Sequence, residues 1–303
     1  MGAWWQPRGY KNIRKRTILN APWWGYGLIL RQKQYSHEIY NVIAVGPGRG
    51  AGLRLEAKAP APVGKEIVLS SGTGRIYVSL PEAGRADGRA VVLCPGGRYG
   101  YLELQSEGFD WVGYLNSMGC AAIVLRYTMP AGDPSKPVRD AEEAVALVRR
   151  HASEWGIRPD AVGIFGFSAG GHLASYVATN SRGEARPDFQ CLFYPVVTMD
   201  SSYTHMPSRN NLIGPRATAA DVRRYSNELN VDSTSPRAFI VANEDDVKVP
   251  ARNAISYYLA LMANGVPAAL HVYPTGAHGW GFGGRFAYRR QLMGELEAWL
   301  DSL

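Results

Sequence analysis

Three cysteines in 303 residues, Cys94, Cys120 and Cys191, are too few and too scattered for a disulfide framework or a metal cage. Each lies in or beside an apolar, β-rich stretch (VVLC, CAAIVL, CLFYPVV), so buried free thiols are expected. No His, Cys and Asp set has metal-ligand spacing, and the expectation is neither a metal nor a cofactor. Long apolar runs are missing too. No stretch reaches the 18 residues of a transmembrane helix, so no integral membrane segment is expected. Positive charge is scarce where a polyanion would need it. Lys plus Arg number 33 against 26 Asp plus Glu, yet residues 1–58 hold ten basic residues and only two acidic ones. The body beyond residue 58 is left almost balanced, which argues against a nucleic-acid partner.

What is present is enough hydrophobic sequence, 46% of residues, to bury a sizeable core. The length allows two domains at roughly 150 residues each, but α/β folds often run past 200 residues as one unit. The division expected is an N-terminal arm over residues 1–60 and a single α/β domain over 61–303. In the arm, Arg8, Lys11, Arg14, Lys15 and Arg16 precede residues 17–30 (TILNAPWWGYGLIL), a crude signal-peptide order. Asn20, Pro22, Gly25 and Gly27 interrupt that stretch, and Arg31 and Lys33 stand where a small-residue cleavage site belongs. The expectation is a poorly ordered or loosely docked arm on a cytoplasmic protein, with export the alternative if residues 1–30 act as a signal.

After a predicted hairpin at 65–71 and 75–80, turning at Gly72-Thr73-Gly74, the chain alternates strands with helices. Strands are predicted at 90–94, 120–127, 161–167, 188–197, 237–243 and 267–273. Helices are predicted at 106–119, 138–156, 169–180, 250–264 and 285–301. Ala141, Ala144, Val145 and Val148 share one face of the second helix. Such alternation specifies a mostly parallel sheet covered by helices on both faces. Residues 198–235 fall outside it, an excursion able to shape a site.

The chemistry starts at Gly166-Phe167-Ser168-Ala169-Gly170, a G-x-S-x-G pentapeptide between a strand and a helix. A strand that turns at once into a helix strains its central residue, and the two glycines remove side chains that would collide. Ser168 is the candidate nucleophile. It needs a base oriented by a carboxylate, in the chain order Ser, then Asp or Glu, then His. His172 lies one helical turn past Ser168 and reads as packing; His271 lies mid-strand; His205 precedes the acids. His278, in the glycine-rich loop PTGAHGWGFGG, is the candidate base. Glu244, Asp245 and Asp246 all follow the strand at 237–243, and spacing does not separate the two aspartates. Two backbone N–H groups must meet the developing oxyanion: one from Ala169, the other from Pro95-Gly96-Gly97-Arg98-Tyr99, where Gly97 and Arg98 align with a glycine-rich lipase-type loop. Tyr99 is a candidate to line the substrate side, and SSYTHMPSRNNLIG (201–214), with His205, Ser208 and Arg209, either lines the leaving-group side or is a structural loop.

Taken together, CPGGRYGYL, GCAAIVLRYTMP, GFSAGGH, DFQCLFYPVV, HMPSRNNLIG, NEDDVKVP and GAHGWGFG resemble the α/β-hydrolase esterases of the acetylxylan-esterase and feruloyl-esterase-like group. The resemblance covers residues 65–303 and not the arm. It implies an α/β-hydrolase fold and a serine carboxylesterase, acting on an acyl, foremost acetyl, ester of a carbohydrate such as xylan. It also implies Asp246 as the acid, because Asp246, Val249 and Pro250 match the group's D-x-x-V-P signature. Arg98 departs from the group's P-G-G-G-Y loop and brings a side chain to the acyl pocket or to a substrate carboxylate or hydroxyl. A feruloyl or general short-chain esterase is the neighbouring alternative. A prolyl-oligopeptidase-type peptidase shares the triad order, but its large extra domain exceeds 60 residues. A non-catalytic binding module is opposed by the intact set Ser168, Asp246 and His278.

Overall fold

The computed structural model describes residues 33–35, 38–42, 55–57, 64–283 and 285–303. The chain divides into two units, Met1–Ala61 and Pro62–Leu303. Within the first, β1 (Lys33–Tyr35), β2 (Glu38–Val42) and β3 (Leu55–Ala57) form a three-stranded antiparallel sheet. The sequence reading gave no strand there, because these segments are short and lack strong alternation. The signal-like stretch at 17–30 lies outside the described residues.

The second unit is built on an eight-stranded sheet. Its strands are β4 (Lys65–Val68), β5 (Arg75–Ser79), β6 (Ala90–Cys94), β7 (Ala121–Arg126), β8 (Val162–Phe167), β9 (Phe189–Phe193), β10 (Arg237–Asn243) and β11 (Ala268–Tyr273). They lie in the order β11-β10-β9-β8-β6-β7-β5-β4. The six strands from β7 to β11 pair in parallel, and the β4–β5 hairpin adds antiparallel at one side. Strands buried on both faces are apolar at every position rather than at alternate ones. Thus Val92, Ile123 and Ile164 pack in one core cluster and Leu93, Val124 and Phe165 in the other.

Each cluster owns its helices. The first takes buried residues of α2 (Ser135–Arg150), α3 (Ala169–Asn180) and α6 (Arg252–Ala263): Ala141, Ala144 and Val148, then Leu173 and Val177, then Tyr257 and Leu261. The second takes Trp111 and Leu115 from α1 (Asp110–Ser117) and Leu292, Leu296 and Leu300 from α7 (Arg289–Leu300). Both faces of the sheet are therefore covered.

Two differences from the sequence reading bear on function. The helix predicted at 106–119 opens with a π-helical turn, Gln105–Phe109, before α1. The strand predicted at 188–197 stops at Phe193, where Tyr194 takes a left-handed conformation with φ 39°. The excursion at 198–235 holds α4 (Met206–Ile213) and α5 (Ala219–Tyr225). Among the described residues no helix is long and apolar enough to cross a membrane.

Candidate active site

In parallel sheets of this kind, sites form beyond the carboxyl ends of the strands. Here the loops after β6, β8, β9, β10 and β11 leave the sheet on that edge, with Cys94 paired to Gly166, Phe167 to Phe193 and Asn243 to Tyr273. Ser168 stands at the turn from β8 into α3 with φ 52° and ψ −118°. Such a conformation costs a non-glycine residue about 1–3 kcal/mol, so the surroundings must enforce it. They do so through backbone: Ser168 N–H donates to Phe193 O (3.1 Å), and Ser168 O accepts from His172 N and Val196 N.

The flanking glycines are demanded by close approach. A Cβ on Gly166 would lie 2.5 Å from both Ala174 Cβ and Gly170 O. One on Gly170 would overlap the backbone carbonyls of Cys94 and Pro95, at the end of β6. Main chain cannot step aside as a flexible side chain can. Gly170→Ala is therefore expected to cost about 3 kcal/mol or more, read as a lower denaturant midpoint at unchanged slope. A loss under about 1 kcal/mol would show that β6 and α3 can separate freely.

Ser168 is nearly buried, and its Oγ lies 2.8 Å from His278 Nε2. His278 Nδ1 lies 2.6 Å from Asp246 Oδ2. The remaining oxygen of Asp246, Oδ1, accepts the N–H groups of Lys248 and Val249 at 2.9 Å each. Asp245 does something different. It is exposed and accepts the N–H groups of Ala277 (2.7 Å) and Gly276 (3.2 Å), and Asn243 Nδ2 donates to Ala277 O (2.7 Å). Three residues at the end of β10 thus hold the loop that carries His278, and only one of them reaches the imidazole. Glu244 is exposed and shares a backbone hydrogen bond with Tyr273.

Ser168 and His278 line a cavity of about 490 Å³ with Gly97, Arg98, Tyr101, Glu103, Glu107, His205, Lys248 and Gly279. Gly97 (φ 124°) and Arg98 (φ 61°) turn the loop after β6 tightly. Among the described residues, the N–H groups of Gly97, Arg98 and Ala169 donate to no protein acceptor. The Arg98 side chain is exposed, with its guanidinium 5.4 Å from the centre of the Tyr101 ring. His205 lies 2.8 Å through Nδ1 from Ser208 Oγ, and its ring faces that of His278 at 6.5 Å. Burial first, then the nearby His278 and Arg98, hold its pKa down at about 4, so it is neutral at pH 7.

Three expected lining residues lie elsewhere. Tyr99 is buried beneath the loop, its hydroxyl 2.8 Å from His172 Nδ1 and its ring edge-on to Tyr127. The φ of 57° at Tyr99 belongs to that inward turn. Ser208 and Arg209 occupy the buried face of α4, where Ser208 supports His205 and Arg209 Nε donates to Met199 O (3.1 Å). His172 is also internal: Nε2 lies 2.7 Å from Tyr225 O, and burial lowers its pKa to about 4. His271 lies 3.0 Å from Glu295, away from the cavity.

Sequence reasoning passed over Glu107, Tyr101 and Lys248 in the cavity wall. The signal for Glu107 was present: it falls four residues before Trp111 and eight before Leu115, on the stripe that packs inward. Burial, opposed chiefly by hydrogen bonds from Gly96 and Tyr194, raises its pKa to about 7. No group of three or more His, Cys, Asp or Glu able to hold a metal ion occurs among the described residues.

Residues 96–282 match the family described as alpha/beta hydrolase fold. The chain is 39% identical over 258 residues to an acetylxylan esterase of Xylanibacter ruminicola, covering 83% of this chain and 53% of that protein. It is 31% identical over 204 residues to endo-1,4-beta-xylanase B of Butyrivibrio fibrisolvens, covering 62% of this chain and 32% of the relative. It thus spans about half, or less, of the length of these curated relatives. An acetyl ester-xyloside bifunctional hydrolase from Caldicellulosiruptor lactoaceticus superimposes with a TM-score of 0.73 at 30% identity, over 81% of this chain and 98% of that one.

Proposed function

Since the chain belongs to the α/β-hydrolase fold family, we propose that it is a serine carboxylesterase removing acetyl groups from xylan or xylo-oligosaccharides. The observation that carries the reading is the hydrogen-bonded series Ser168–His278–Asp246 opening on one cavity. The names of the esterase and of the acetyl ester-xyloside hydrolase it resembles support the substrate class.

In the proposed reaction, His278 Nε2 takes the Ser168 proton as Oγ attacks the acetyl carbonyl. Asp246 holds the tautomer with the proton on Nδ1 and stabilises the imidazolium. The tetrahedral oxyanion is met by the N–H groups of Ala169, Gly97 and Arg98. His278 then returns the proton to the departing sugar oxygen, leaving an acetyl-enzyme. Water, deprotonated by His278, attacks that ester, and acetate leaves as Ser168 regains its proton.

The sugar lies on the Tyr101 side. Tyr101 is 49% exposed and also lines a neighbouring cavity of about 370 Å³ with Thr73, Arg126 and Thr128. A pyranose can stack on that ring while its hydroxyls meet Arg98 or the neutral His205. Acetylated xylo-oligosaccharide should therefore release acetate faster than feruloylated substrate releases ferulate, measured side by side. Tyr101→Ala should raise KM for the oligosaccharide roughly tenfold, about 1.4 kcal/mol, while an aryl acetate is turned over as before. Preference for the feruloylated substrate would replace acetyl by feruloyl. Failure on all these esters would remove the esterase reading itself.

A further inference from the structure

Glu107 is 3% exposed, in the π-helical turn ahead of α1, yet it also borders the cavity. A carboxyl so placed requires partners, and its two belong to different loops. Oε2 accepts the N–H of Gly96 at 2.7 Å, one residue before the proposed oxyanion donors. Oε1 accepts the hydroxyl of Tyr194 at 2.9 Å, and that hydroxyl accepts the N–H of Gly281 at 3.0 Å, three residues after His278. Burial keeps the phenol protonated, so Tyr194 is the donor toward Glu107. The Tyr194 ring also meets His278 edge-on, with centroids 5.1 Å apart.

The geometry points to Glu107 as a positioning residue that, through Tyr194, locks the oxyanion loop and the His278 loop into one register. Three further features fit this role. A Cβ on Gly96 would lie 2.7 Å from Glu107 Oε2 and 2.9 Å from Ser168 Cβ, so the loop is seated directly on both side chains. Phe282 N–H donates to Ser106 O (2.8 Å), a second tie between the His278 loop and the π turn. Tyr194 holds a strained φ of 39° immediately after β9, where the sheet edge would otherwise carry the chain past the site. Strain of this kind persists only where the surroundings impose it, and π turns recur at functional sites. The inference rests on the proposed esterase reading, since the two loops matter together only if an oxyanion and an imidazolium form together.

The test compares Glu107→Gln, Tyr194→Phe and the double variant on an aryl acetate. The Gln oxygen can accept from Gly96 or from Tyr194, not from both, and Phe removes the link to Gly281 altogether. Each single variant should lower kcat about 10- to 100-fold, the scale of small misplacements in a preorganised site, with KM within about twofold of wild type. The double variant should be no worse than the worse single, as expected of one unit. A folded variant that keeps more than half of wild-type kcat overturns the inference. So do losses that multiply in the double variant, or KM rising in step with falling kcat. If Glu107→Gln does not fold, Tyr194→Phe decides alone. A wild-type protein silent on the ester sinks the esterase reading instead, so the two failures are distinguishable.

Discussion

Replacing Ser168 by alanine lowers kcat on an aryl acetate by at least about 10³-fold and leaves the fold in place. Loss of a triad nucleophile commonly costs more than that, the remainder coming from the oxyanion donors and binding alone. The proposed donors are backbone groups of Gly97, Arg98 and Ala169, which the substitution does not touch. Alanine also meets the same left-handed φ of 52° that serine meets, so the elbow's strain is nearly unchanged. Steady-state rates with circular dichroism on both proteins check the result. Activity above a tenth of wild type would show that another residue attacks the ester.

Asp246→Asn is expected to lower kcat by up to about 10⁴-fold, whereas Asp245→Asn costs less than about tenfold. The difference follows from what holds each side chain. Oδ1 of Asp246 is fixed by the N–H groups of Lys248 and Val249, so an asparagine must place its own oxygen there. Its amide N–H then faces His278 Nδ1, 2.6 Å away in the wild type, and drives the proton to Nε2. An imidazole protonated at Nε2 has no lone pair for Ser168. Asparagine at 245 still accepts from Ala277 and loses only the longer bond from Gly276. The reverse ranking of the two variants would transfer the role to Asp245.

The elbow and the sheet were readable in the sequence because their causes are local. A strand buried on both faces must be apolar throughout, as 90–94, 161–167 and 238–242 are. A strand that turns sharply into a helix must carry glycine where backbones meet, as at 166 and 170. The choice between Asp245 and Asp246 was not local. Both follow β10, and only the turn made by Lys248 and Val249 directs one carboxylate at the imidazole. Tyr99, Ser208 and Arg209 read as candidates for the substrate side because polar side chains in loops suggest a site, with a structural loop the equal alternative for 201–214. The structure instead spends them on His172, His205 and Met199 inside the molecule. Some signals were simply passed over. Thr218 and Asp221 form a reciprocal capping box that opens α5, and Pro207 stands in the first turn of α4. Glu107 and Tyr194 are 87 residues apart, and nothing in either segment names the other.

The three thiols offer a clock for the protein's opening. Cys94 and Cys191 sit in β6 and β9, and Cys120 adjoins β7; all three are free and at most 1% exposed. Burial pushes each thiol well above its ordinary pKa, so none is a ready thiolate in the closed molecule. A thiol-specific reagent therefore gains access only when the sheet itself comes apart. Native-state labelling should report the rarest, most global openings, while loops around the cavity breathe without being counted. A cysteine introduced on the surface would react at once against that silent background. The native protein thus accepts a single-site dye or spin label without first having its own cysteines removed.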